Sequence, residues 1–111
     1  MSEKTQTIKL RKQGDLYECE IDGDKYDFRI WTWGEKNKVT EQCTRVLPSG
    51  QQKLEVGEFN LCMLLATLKK APFKIDRATI ESYPNPKLID LLIRITTKLN
   101  LLEDVEIKNL S

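Results

Sequence analysis

Two short glycine turns, Gln13-Gly14-Asp15 and Asp22-Gly23-Asp24, interrupt a stretch in which apolar and polar residues alternate from Thr5 to Thr32. Period-two alternation buries one face of a strand, and Asp-Gly pairs supply the positive φ that tight hairpin loops demand. The combination commits the first third of the chain to an antiparallel meander with strands at Thr5–Lys12, Leu16–Ile21 and Lys25–Thr32. Ile8 and Leu10 share a face of the first. Tyr17, Cys19 and Ile21 oppose Leu16, Glu18 and Glu20 in the second. In the third, Tyr26, Phe28, Ile30 and Thr32 oppose Lys25, Asp27, Arg29 and Trp31.

After Thr32 the period changes. Thr32 and Glu35 have capping-box spacing, in which the hydroxyl and the carboxylate each satisfy an unpaired backbone N–H, so a helix is predicted over Trp33–Thr44. Its apolar stripe is only Val39 and Cys43, which makes it a surface helix. Arg45–Leu47, the turn Pro48-Ser49-Gly50 and Gln52–Val56 read as a second, short hairpin. Glu58–Lys70 is apolar nearly all round and predicts a central helix, ended by Pro72. Asp76 caps a brief helix over Arg77–Ser82. Asn85-Pro86 supplies an N-cap and a first-turn proline for the last helix, Pro86–Leu99, with Asn100 as its stop. Residues 101–111 mix apolar and acidic side chains, as a flexible or docked tail or an added strand would. The reading is one α+β domain over residues 1–111: an N-terminal antiparallel β-meander with hairpins, then three or four α-helices packed against the sheet.

The 111 residues suit one core. Eighteen basic and 17 acidic residues give a net charge of +1, spread evenly, so no segment forms the basic arm that a broad phosphate footprint needs. The start, Met1-Ser-Glu-Lys-Thr-Gln, lacks the apolar stretch of a signal peptide, and the longest apolar run, Leu61–Ala66, is too short to cross a bilayer. The expectation is a cytoplasmic protein without a membrane span. Cys19, Cys43 and Cys62 are odd in number and widely spaced, which suits reduced core thiols better than a disulfide framework.

Catalytic equipment is sparse. The chain has no histidine, which removes the usual general base near neutral pH and the commonest zinc ligand. No CxxC pair, phosphate-cradling glycine loop or calcium-loop spacing occurs, so no cofactor or metal is expected. Asp22 and Asp24 read as turn residues before they read as a cation site. Lys69, Lys70, Lys74 and Arg77 read as a solvated helix end complementing the dipole before an anion patch. Cys43 would serve as a nucleophile only with an unusual base.

The aromatic residues leave two readings open. Strand parity sends Trp31 to the face opposite Tyr26 and Phe28, where the neighbouring helix covers it or a partner does. The central helix either fills the core or leaves a face exposed. The candidate protein-contact residues are Trp31 and Trp33, with Phe59, Met63 and Phe73 from the helical half, because aromatics and methionine bury large area or adapt their shape.

Phe28-Arg29-Ile30-Trp31-Thr32-Trp33-Gly34-Glu35-Lys36-Asn37, Val56-Gly57-Glu58-Phe59-Asn60 with Leu64-Leu65, Ala71-Pro72-Phe73 and Lys98-Leu99-Asn100 together resemble small accessory proteins encoded among phage tail and contractile injection genes. The resemblance covers about residues 25–100. It implies a non-enzymatic assembly factor or chaperone that binds a tail or baseplate component, and it brings no catalytic residues. The alternative is a small nucleic-acid-associated module in which Trp31, Tyr26 or Phe28 stacks on bases, against which the balanced charge counts.

Overall fold

The computed structural model describes residues 8–101. In chain order the elements are β1 Arg11–Gln13, β2 Leu16–Ile21, β3 Asp24–Arg29, α1 Trp33–Gln42, β4 Thr44–Val46, β5 Gln52–Leu54, α2 Val56–Thr67, β6 Leu68–Lys70, α3 Arg77–Glu81 and α4 Pro86–Asn100. An antiparallel N-terminal sheet with helices toward the C-terminus is the α+β arrangement expected. Of the predicted first strand, residues 5–7 lie outside the described residues, as do those after Leu101; residues 8–10 are described but precede the strand, which runs later than the alternation predicts, over Arg11–Gln13.

The meander closes through two-residue loops. Ile21 pairs with Asp24 across Asp22 and Gly23, both at positive φ (52° and 87°), the combination a type I′ turn requires. Gln13 pairs with Leu16 across Gly14 and Asp15, with positive φ (61°) at Gly14 alone, as in type II′.

The sheet has a fourth strand, in the order β1-β2-β3-β6. The helix predicted to continue to Lys70 stops at Thr67, and Leu68–Lys70 leaves it to pair antiparallel with β3, Phe28 opposite Leu68 and Asp27 opposite Lys70. Nothing in the local sequence breaks the helix there. The open edge of β3 offers ladder hydrogen bonds and a buried place for Leu68, and this tertiary gain overrides helix continuity. The register shift between Asp27 and Phe28 marks a bulge, one device that keeps an edge strand from recruiting another chain.

The two sheet faces differ. Cys19 and Ile21 of β2 and Tyr26 and Phe28 of β3 form the main core with Leu61 and Leu64 of α2, Ile80 of α3, and Ile89, Leu92 and Ile95 of α4. The other face bears a cross-strand row of charges, Arg11, Glu18, Asp27 and Lys70, whose like-charged middle pair is flanked by cations. Arg11 pairs with Glu18, and that hydrogen bond is the first cause holding the Glu18 carboxyl below its usual range.

A smaller second cluster, Trp31, Cys43, Phe59 and Met63, lies on the other side of α2. Phe59, Cys62, Met63 and Ala66 recur at three- and four-residue intervals and face this cluster, while Leu61, Leu64 and Leu65 face the main core. The all-round apolarity of α2 thus reflects two cores. Asp76 caps α3 as its chemistry suggests, Oδ1 accepting from the Thr79 N–H (2.8 Å). Asn85 precedes α4 with Pro86 in the first turn but makes no side-chain cap.

Candidate interaction site

The site is built where β3 ends. The strand stops at Arg29, earlier than the alternation to Thr32 predicts, so Ile30 is exposed instead of facing the core and Trp31 turns inward. Two groups cause the break. The Asn100 side chain occupies the ladder position: its Oδ1 accepts the Trp31 backbone N–H (2.8 Å) and its Nδ2 donates to the Arg29 carbonyl (3.2 Å). The Arg29 guanidinium forks onto Glu35, Nη1 to Oε1 at 3.0 Å and Nη2 to Oε2 at 2.7 Å.

Glu35 also completes the capping box. Its Oε1 accepts the Thr32 N–H at 2.8 Å, and the Thr32 hydroxyl accepts the Glu35 N–H at 3.1 Å. The Arg29 hydrogen bond, reinforced by the Thr32 N–H, pulls the Glu35 carboxyl down to about 2. This one carboxylate ties β3 to the start of α1, whose first residue, Trp33, is 78% exposed.

From Trp33 the chain makes an excursion before returning to the core at α2. α1 has no buried residue and rests on α2. The β4–β5 hairpin is a separate two-stranded sheet, with Thr44 opposite Leu54, Arg45 opposite Lys53 and Val46 opposite Gln52. Parity gathers Val46 and Leu54 on one face and two cations on the other. Two-stranded sheets of this size are marginal in water. This one is anchored by Glu55 N–H to Cys43 C=O (2.8 Å) and by the ion pair of Arg45 with Glu55.

Of the six large apolar side chains exposed among the described residues, Ile30, Trp33, Val46, Leu54 and Val56 belong to residues 30–56, and the sixth is Leu10. Trp33, Val46 and Val56 are 60–78% exposed. The same span contributes only Trp31 and Cys43 to the buried apolar set.

Of the five contact candidates read from the sequence, Trp31, Phe59 and Met63 are brought together inside the second cluster. The rings of Trp31 and Phe59 meet edge to face at 6.0 Å. Phe73 is half-buried elsewhere, between Tyr26 (6.4 Å) and Tyr83 (4.8 Å). Trp33 alone is presented to solvent. Ile30, Val46, Leu54 and Val56 escaped the sequence reading. The available signal was the shortness of the second hairpin, too small to cover its own apolar face.

Other features offer less chemistry. A solvent-open depression of about 590 Å³ is lined by Lys9, Arg11, Glu18, Glu20 and Lys25, with cations and anions interleaved. Among the described residues no group of three or more histidine, cysteine or acidic side chains has a metal-binding arrangement. No helix among them is long and apolar enough to cross a membrane. Burial pushes the Cys19 thiol up to about 11 and the Tyr26 hydroxyl up to about 12. The Trp31 indole N–H is buried and finds no acceptor among the described residues.

No protein family, no curated protein and no solved structure matches this chain.

Proposed function

We propose that this chain is a non-enzymatic protein-binding module whose contact surface is the excursion of residues 30–56, with Trp33 as its anchor. The observation that carries the reading is the concentration of exposed apolar side chains in a span that adds little to the core. Burying a tryptophan side chain is worth on the order of 3 kcal/mol. A rigid corner lowers the ordering cost of binding, because Glu35 and Asn100 have already fixed the backbone around the indole. The partner class comes from the resemblance to tail accessory proteins: a tail or baseplate subunit of a phage-like particle, whose apolar surface the module covers until assembly supplies the permanent neighbour.

The nucleic-acid alternative is less well supported. Tyr26, Phe28 and Trp31, the rings a stacking platform would use, are buried.

The test is a titration of candidate tail-tube, sheath and baseplate subunits from the same gene cluster against wild type and Trp33→Ala. Trp33→Ala is expected to fold normally, since Trp33 is largely exposed and belongs to neither core cluster. It is expected to weaken binding by about 2 kcal/mol or more, roughly thirtyfold. Unchanged affinity in Trp33→Ala would reject the site, and no affinity for any of these subunits would reject the partner class.

A further inference from the structure

Among the described residues β4 and β5 pair only with each other, so the outer edge of each strand is open. Glu55 N–H bonds to Cys43 C=O and Leu47 N–H to Gln51 C=O, both at 2.8 Å, and ladder alternation then turns the N–H and C=O groups of Gln52 and Leu54 outward on the β5 edge. Lys53 stands between them, exposed and directly opposite Arg45. Arg45 is engaged by Glu55, whereas Lys53 has no ion pair among the described residues. This edge suits an extended segment with an acidic centre and apolar flanks, the flanks falling on the face that carries Val46 and Leu54.

The described residues stop at the cluster from which the hairpin rises. Leu101 has extended backbone (φ −122°, ψ 149°) and packs against the second cluster, which includes Cys43, the residue before β4. The sequence continues to Val105-Glu106-Ile107, apolar, acidic, apolar, within a segment (102–111) that carries three acids and one lysine. Four extended residues from Leu101 to Val105 span about 13 Å.

We propose that residues 105–107 add to the open edge of β5 as a third strand from the same chain, antiparallel, with Val105 opposite Leu54, Glu106 opposite Lys53 and Ile107 opposite Gln52. The direction follows from the point of entry: the segment starts at the base of the hairpin, where Glu55 bonds to Cys43, and β5 runs toward that base. Val105 and Ile107 take the hydrogen-bonded positions, and Glu106 takes the closer, non-bonded position beside Lys53. The pairing stops at Leu54 because Glu55 is already the N-cap of α2. A third strand supplies what a two-stranded sheet lacks in water. A second copy is the poorer occupant, since two β5 edges related by a two-fold axis set Lys53 against Lys53. Val105 and Ile107 widen the apolar face beside Val46 and Leu54 instead of covering it. The strand forms without a bound protein, so its failure leaves the binding reading untouched.

The experiment follows amide exchange by NMR in the full chain, alone and dilute, with the amides of β2 and α4 reporting that each variant is folded. Ile107→Pro removes a bonding N–H and is expected to speed exchange at Gln52 and Leu54 about tenfold. Glu106→Lys is expected to speed it about threefold, and adding Lys53→Glu to that variant to restore the slower rate. Identical exchange at Gln52 and Leu54 in wild type, Ile107→Pro and Glu106→Lys would overturn the proposal. Protection that grows with protein concentration would assign the strand to a second copy and overturn it too.

Discussion

Asn100 and the two threonines beneath it carry a hydrogen-bond chain whose direction follows from counting protons. Thr67 spends its single hydroxyl hydrogen on the Met63 carbonyl (2.8 Å), so Thr96 must be the donor in the 2.6 Å contact between the two hydroxyls. Thr96 Oγ1 in turn accepts from Asn100 Nδ2 at 2.9 Å. Both threonines are fully buried, and a buried hydroxyl without a partner costs about 1–3 kcal/mol. Thr67→Val strands the Thr96 hydrogen and is expected to cost about 1–2 kcal/mol. Replacing both by valine removes donor and acceptor together, so chemical denaturation of the single and double variants is expected to give a double cost below the sum of the singles. Additive costs would mean that the two hydroxyls do not depend on each other. The Thr32–Glu35 capping box was legible in the sequence because it depends on three-residue spacing alone. The bond from Trp31 to Asn100 spans 69 residues and has no local signature.

Elements whose limits are set by their own residues were read closely, and elements limited by a distant neighbour were not. β2 matches its predicted span because two glycine turns bound the meander, and α4 starts where Asn85-Pro86 places it. β3 ends three residues early and α2 yields its last turn to β6, in each case because a group far along the chain supplies hydrogen bonds that a window of sequence cannot contain. The joint between β3 and α1 carries its own prediction. Glu35 normally titrates near 4.5 and is held at about 2 in the fold, so its contribution is complete above about 4.5 and is lost as pH falls toward 2. The carboxylate is partly exposed, which keeps the effect small through solvent screening. Acid titration followed by the Thr32 amide resonance is expected to show the corner loosening in that window, and Glu35→Gln to abolish the transition. A Thr32 resonance that moves identically in Glu35→Gln would assign the change to another group.

At the scale of the whole molecule the apolar residues divide unevenly. Eleven buried residues make the main core between sheet and helices, and four make the second cluster that tethers the excursion. A sequence reading finds these residues and cannot assign them to two cores, because α2 serves both and its apolar faces merge in one dimension. The same merging left Trp31, Phe59 and Met63 as contact candidates beside Trp33. In three dimensions the first three become the tether and Trp33 the displayed ring. Local stability follows local burial, so a span with few buried contacts opens more readily than the sheet it is attached to.

Hydrogen exchange on the chain alone and in the presence of the proposed partner, a tail or baseplate subunit, tests the central claim most directly. In the free chain, amides of α1 and the β4–β5 hairpin are expected to exchange well ahead of those in β2, β3 and α4. On binding, new protection is expected to concentrate in residues 30–56. Protection that falls instead on the charged outer face of the sheet, with residues 30–56 unchanged, would contradict the account.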